Sequence, residues 1–241
     1  MAKIKLKSVD FTNPENKKDF NGRLFSEVAP TYNFLTKVLS LGRDGAWKNM
    51  LIKLLPEKKA SNCLDIACGT GDITFRLADK FSEGEIIGID LNADMLEIAK
   101  LKNNYPNIKF ELKDMNHMDF EDNCFDVICG GYALRNSPDL TFTLKEIKRI
   151  MKDNGKAVFL DFSKSNNAVM QRLTYFILAF WGSLWGIILH GNPDVYAYIA
   201  ESLKYYPDRI KLREMLKELG FKNIEGKLLF GGMLEILKFE K

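Results

Sequence analysis

Between residues 62 and 161 short apolar runs alternate with stretches of helical period. The runs at 62–67, 85–90, 107–112, 125–130 and 156–161 are brief and rich in Ile, Val, Leu, Phe and Cys, which predicts strands. The spans 71–81, 93–104 and 139–152 place apolar residues three and four apart, which predicts helices. Strands alternating with helices predict a parallel, doubly wound α/β sheet. A helical stretch precedes it, with Phe25, Val28, Tyr32, Leu35, Val38 and Leu39, then Trp47, Leu51, Leu54 and Leu55 before the breaker Pro56. At the far end, 221–229 and 233–239 flank Gly231-Gly232 and predict a terminal hairpin on the sheet edge, giving seven strands in all.

One segment does not fit an ordinary α/β layer. Leu173 to Leu189 carries no charge over 17 positions, near the lower bound of about 17–25 residues for a membrane-spanning helix. Gly182, Ser183 and Gly186 interrupt it, and the strands that follow must return to the sheet. Three readings stay open: a packing helix, an apolar lid or membrane-docking surface for a lipid substrate, and a true span. The chain reads as a single domain over 1–241, with a helical cap (1–57), a core (58–163), an apolar helical insertion or lid (164–220) and the hairpin (221–241).

Composition adds exclusions. A 46% hydrophobic and 28% charged chain with formal net charge +3 is an ordinary globular one, and without a basic cluster it does not point to nucleic acid. The N-terminus shows positive charge but no apolar run after it, so a cytoplasmic setting is expected, peripheral to the inner face of the membrane if 173–189 docks there. Cys63/Cys68 and Cys124/Cys129 fall in or beside strands. A spacing of five turns each pair to opposite faces, so buried thiols are expected and no metal.

The chemistry sits at strand ends. Asp65-Ile66-Ala67-Cys68-Gly69-Thr70-Gly71-Asp72 is a glycine turn between the first strand and its helix, and the second strand ends in Asp90. Gly69 and Gly71 let the backbone approach a ligand, while Asp90 suits ribose hydroxyls. The dinucleotide fingerprint needs a third glycine where Thr74 stands. Asp65 and Asp72 instead set carboxylates at the turn, which repel a pyrophosphate and attract an ammonium and a sulfonium. S-adenosylmethionine is therefore expected rather than NAD, with Thr70 and the glycine backbone near its methionine part. Asp114 and Met115, after the third strand, are placed to meet the adenine, although Asp114 also reads as a simple turn residue.

Gly130-Gly131-Tyr132-Ala133-Leu134-Arg135-Asn136 resembles the S-F-G-L-R-N stretch of the ubiquinone/menaquinone C-methyltransferases, the UbiE family. Val28-Ala29-Pro30-Thr31-Tyr32-Asn33, Leu39 to Lys48, Asp161-Phe162-Ser163-Lys164, Tyr198 to Ser202 and Gly231-Gly232 are similar to further motifs of that family, so the resemblance runs from about residue 20 to the end. Gly131 replaces the usual polar residue, Ala133 replaces a glycine, and no histidine precedes Trp47. The resemblance implies a class I, Rossmann-like methyltransferase that moves a methyl group from S-adenosylmethionine to a ring carbon of a prenylated quinol. The ring carbon becomes nucleophilic as its hydroxyl loses a proton, so Arg135 is expected to stabilise a phenolate and Asn136 to orient the hydroxyl. An ion pair of Arg135 with Asp139 or Asp126 is the competing role. Tyr32 and Tyr198 are candidates to line the quinol pocket, although aromatic residues at that spacing also serve as core. His190 is a candidate base against a plainer capping role. A Lys- and Asn-rich composition favours menaquinone over ubiquinone. Another small-molecule or lipid acceptor, or an inactive scaffold in a quinone-synthesis assembly, remains as the alternative. A homo-oligomer is compatible with the sequence.

Overall fold

A computed structural model describes residues 4–6 and 9–241. In chain order it comprises α1 (Pro14–Val28), α2 (Tyr32–Leu39), α3 (Asp44–Lys53), β1 (Cys63–Ile66), α4 (Asp72–Lys80), β2 (Ile86–Asp90), α5 (Ala93–Lys102), β3 (Ile108–Leu112), β4 (Phe125–Gly131), α6 (Leu140–Ile150), β5 (Met151–Phe162), α7 (Ala168–His190), α8 (Asp194–Tyr205), α9 (Arg209–Glu218), β6 (Lys222–Leu229) and β7 (Leu234–Glu240). The sheet order is β3-β2-β1-β4-β5-β7-β6, parallel except for β7, which pairs antiparallel with both β5 and β6. The order reverses direction between β1 and β4, and the carboxyl ends of these strands frame the crevice where such sheets take ligands.

Local sequence explains the boundaries. Asn13, Asn92, Asp139, Asn167 and Asp208 cap α1, α5, α6, α7 and α9 by accepting backbone N–H bonds in the first turn. Gly191, at φ 60°, ends α7 in the left-handed region. The gap expected between the helix at 139–152 and the strand at 156–161 is instead an irregularity inside β5: Phe125 pairs with Met151, but Val127 pairs with Lys156. Asn154 accepts φ 61° and lets the strand absorb the extra residues, so the strand starts at 151 and the helix before it stops at 150.

Apolar residues cover both sheet faces. Leu64, Ile128 and Phe159 pack with Leu144 and Ile147 of α6 on one side, and Val127, Val158 and Ile236 with Leu51 of α3 and Leu77 of α4 on the other. A third cluster joins Phe20, Leu24 and Val28 of α1 to Leu35, Met95, Tyr196 and Tyr198. The segment 164–220 divides rather than forming one insertion. Helices α7 and α8 pack on each other, whereas α9 lays Leu212 and Leu216 into the sheet core.

The α7/α8 contact is a close backbone approach. A Cβ on Gly182 would stand 2.6 Å from the Tyr196 carbonyl oxygen, and one on Gly186 would stand 2.5 Å from that of Asn192. These glycines let α7 lie on α8, with Tyr175, Leu178, Trp185 and Leu189 half-buried against the core, and leave its opposite face outward, which overturns the reading of a buried helix: of its residues only Thr174, Gly182 and Gly186 are buried. Replacing Gly182 by Val should therefore cost about 1–3 kcal/mol, as overpacking does, and lower the melting temperature by about 2–4 °C per kcal/mol for a chain of this size. Calorimetry of the variant checks this, and an unchanged melting temperature would place α7 away from α8.

Candidate active site

Two cavities meet at the carboxyl end of β4. The larger, about 360 Å³, is walled by α1, α2, α7 and α8 and is almost entirely apolar, with Arg135 and Asn136 among its few polar groups. The smaller, about 70 Å³, lies over β1, β2 and β3 and is lined by Gly69, Asp90, Asp114, Met115 and Lys18 among others. Phe25, Tyr32, Tyr132 and Asn136 line both. These four side chains form the shared wall.

Asn136 is fixed from two sides. Its Nδ2 donates to the Tyr132 carbonyl at 2.8 Å and its Oδ1 accepts from the Tyr198 hydroxyl at 2.9 Å, leaving one N–H and one lone pair for a ligand. The Tyr198 hydroxyl shares its single proton between Asn136 Oδ1 and Asn21 Oδ1, and Asn21 Nδ2 reaches the Asn136 carbonyl at 2.9 Å, so α1 and α8 hold the turn together. Tyr132 sits at φ 60° and donates to Asp44 Oδ1 at 2.7 Å, an anchor that keeps its ring on the wall.

Arg135 is 3% exposed. Its ion-pair partner is Asp161 at the end of β5 (Nε to Oδ1 3.6 Å), not Asp139 or Asp126. Asp139 caps α6 and Asp126 pairs with Lys152. Asp161 also accepts the Arg135 backbone N–H at 2.9 Å, and Arg135 Nη1 donates to Ser202 of α8. Three stretches distant in sequence, Leu134-Arg135-Asn136, Asp161-Phe162-Ser163 and Ala200-Glu201-Ser202, thus converge on one guanidinium. The rings of Phe162 and Tyr198 flank it, 5.3 and 5.5 Å from ring centre to guanidinium carbon.

On the small-cavity side, Asp90 accepts the Gly69 N–H and the Asn92 N–H, each at 2.8 Å. Asp114 is bonded to the Asn116 N–H at 2.9 Å and to Lys18 of α1 at 2.6 Å, so one of its oxygens already holds a cation. Thr70 is turned to Asn33 (2.7 Å) and lines a separate small pocket with Asp65, Lys48 and Tyr132. Gly71 lines neither of the two main cavities. It is the left-handed N-cap of α4 (φ 86°), where a Cβ would meet Phe75 at 2.8 Å, so the turn requires it for its conformation rather than for approach to a ligand. Asp72 is not a bare carboxylate either, being bonded to Lys48 at 2.8 Å and Arg76 at 3.0 Å. Lys48 bridges Asp72 and Asp44, which hold its pKa up although burial alone would lower it. His190 bonds the Tyr196 hydroxyl at 2.6 Å and does not line the cavities, which leaves it out of base chemistry.

The ubiE/COQ5 methyltransferase family matches residues 13–238. The chain belongs to that family. It is 35% identical over 238 residues to the ubiquinone/menaquinone biosynthesis C-methyltransferase UbiE of Rickettsia prowazekii (95% of this chain, 94% of that protein). It is 34% identical over 223 residues to the demethylmenaquinone methyltransferase of Lactobacillus johnsonii (90% of each), and 36% identical over 225 residues to the 2-phytyl-1,4-naphtoquinone methyltransferase of Trichormus variabilis (90% and 97%). Among solved structures the fold is shared by an S-adenosylmethionine-dependent methyltransferase of Aquifex aeolicus (17% identity, 80% of this chain and 88% of that one, TM-score 0.56). The protein is an S-adenosylmethionine-dependent C-methyltransferase of the quinone-biosynthesis type.

The donor set suits that cofactor. Asp65 is fully buried, gives one oxygen to the Thr74 hydroxyl at 2.6 Å, and leaves Oδ1 without a partner. An unpaired buried carboxylate oxygen is costly and fits an ammonium. Asp90 suits the ribose diol, and Met115 offers an apolar edge for the base. Sequence reasoning missed Tyr132, Asp44, Asn21 and Lys18. Tyr132 lay inside a recognised motif, but nothing in the order of residues shows that α1 folds over the site.

Burial raises the Asp65 pKa to about 7, against the opposing pull of Thr74 and Lys48. A cation binds the ionised form, so cofactor affinity should rise as pH climbs through about 7 and level off above it. Calorimetric titration at stepped pH should show this rise in the parent protein and lose it, with weaker binding throughout, in Asp65→Asn. A parent profile flat across that range would remove Asp65 from the ligand.

Proposed function

We propose that the protein methylates a ring carbon of demethylmenaquinol, giving menaquinol, with the prenylated ring held in the larger cavity and the cofactor in the smaller. The observation that carries this is the shared wall: an apolar cavity and a carboxylate-lined one are separated only by Phe25, Tyr32, Tyr132 and Asn136. Two of the three relatives described above carry naphthoquinone names, which supports menaquinone as the product. The cavity's apolar walls suit a ring with a hydrocarbon tail.

S-adenosylmethionine, when bound, supplies the methyl group as an electrophile already activated by its positive sulfur. The chain's residues do the remaining work. Tyr32 has its pKa pushed up to about 12 by burial, and burial raises those of Tyr132 and Tyr198 as well. All three phenols stay protonated at neutral pH and act as donors or walls, not bases. Arg135 is the permanent cation lining the acceptor cavity, and it favours the ionised form of the acceptor hydroxyl. The hydroxyl proton leaves to solvent, and the ring carbon's electron pair would form the bond to the methyl as the methyl–sulfur bond breaks with its pair kept by sulfur. The ring hydrogen then leaves as a proton to solvent, which restores the aromatic ring, and the ring oxygen takes a proton back. Asn136, held rigid, orients the hydroxyl from the wall, so positioning supplies much of the rate.

Incubating the protein with methyl-labelled S-adenosylmethionine and demethylmenaquinol in detergent should yield labelled menaquinol. Product only from the ubiquinone-pathway methoxybenzoquinol would overturn the choice of ring, and cofactor binding without product from either would favour the scaffold reading. Arg135→Gln should lower turnover by about 10²–10³-fold, the usual effect of removing one preorganised charge-stabilising donor, with cofactor affinity kept. Equal loss of both would contradict the role given to Arg135.

A further inference from the structure

Helix α7 exposes one continuous apolar seam. Val169, Leu173, Phe176, Phe180, Leu184 and Ile187 recur at spacings of four, three, four, four and three, so they fall on a single face, and all six are exposed, Phe176 by 68% and Phe180 by 63%. The seam spans roughly 27 Å at about 1.5 Å per residue. Soluble proteins rarely leave so long an apolar face uncovered.

Two further observations say what covers it. Phe176 and Phe180 also line the larger cavity, and so does Leu41, 61% exposed in the link between α2 and α3. The seam therefore runs into the cavity mouth, and an apolar molecule can pass from one to the other without crossing water. The segments around that mouth, 28–43 and 162–193, contain no Asp or Glu but do contain Lys37, Arg43, Lys164 and Arg172. Lys37, Arg43 and Arg172 are exposed and enter no ion pair among the described residues. An apolar face rimmed by unpaired cations complements a leaflet of anionic lipid.

We propose that the α7 seam and the α2–α3 link dock the protein peripherally on an anionic membrane, and that the acceptor enters the larger cavity sideways from the leaflet. The entry half rests on the prenylated-quinol reading; the docking half does not. Helix α7 is long and apolar enough to cross a membrane. However, its opposite face is bound through Gly182 and Gly186 to α8, which carries Tyr198 and Ser202, the partners of Asn136 and Arg135. Insertion across the bilayer would take one wall of the site with it, so α7 lies on the surface.

Flotation of the full chain with vesicles tests this. The protein should float with phosphatidylglycerol/phosphatidylcholine vesicles, far less with phosphatidylcholine alone, and should be released by high salt or alkaline carbonate. Leu173→Ser/Leu184→Ser/Ile187→Ser, none of which lines the cavity, should cut flotation at least tenfold and keep turnover of detergent-dispersed acceptor. That turnover reports folding and tests the function separately. Lys37→Gln/Arg43→Gln/Arg172→Gln should weaken the preference for anionic vesicles about fivefold per charge. No flotation of the parent protein overturns the proposal. So does carbonate-resistant retention, which means a span, or a dimer by light scattering that the triple serine variant dissociates, which means the seam is covered by a second copy.

Discussion

The clasp on Asn136 is the constraint from which the site follows. One amide, gripped by the Tyr132 carbonyl and the Tyr198 hydroxyl, sits in the turn after β4, the strand beside which the sheet changes winding direction. It faces both cavities at once. Methyl transfer needs donor and acceptor within one bond's reach but bound by opposite chemistries, one charged and one greasy. A single rigid residue between the two pockets meets that demand, and a mobile side chain there would not.

The second requirement is a buried cation that stays in place. Arg135 would be expensive to bury alone. Asp161 offsets its charge, Ser202 takes one of its N–H groups, and Lys17 of α1 donates to the Arg135 carbonyl at 2.9 Å. Because these partners come from β5, α8 and α1, the acceptor pocket forms only when the whole chain has folded. The apolar helices are thus part of the site as much as the sheet is. The outward face of α7 is the consequence: the helix is pinned by two glycines to α8 and its neighbouring link, and among the described residues no element covers the opposite face.

Much of this was legible in the residues. Strand runs, caps and the glycine turn are local signals, and the sheet matches the expectation drawn from them; Gly69, Asp90, Asp114 and Met115 line one cavity. Asn136 lines both cavities and Arg135 the larger one alone. What failed were statements about pairing across distance. Asp72 reads as a free carboxylate in the sequence, but α3 brings Lys48 to it, and the competing ion-pair role for Arg135 named Asp139 or Asp126, whereas its partner Asp161 lies at the end of β5. Gly71 lies outside both main cavities, and its left-handed φ with the crowding of Phe75 is a reason for glycine that the order of residues does not show. The 17 uncharged positions of 173–189 could not say which faces would be covered, since that depends on the close approach of α8.

The central claim is that cofactor and acceptor occupy the two cavities on either side of Tyr32 and Asn136. A structure of the ternary complex with S-adenosylhomocysteine and a short-chain demethylmenaquinol tests it most directly. The account predicts the sulfur and the ring carbon facing each other at that wall, with the ring hydroxyl turned to Arg135 and the tail running out between Leu41 and Phe180. A ring bound instead in the small pocket of Thr70, Asp65 and Lys48, or a cofactor in the apolar cavity, would contradict it.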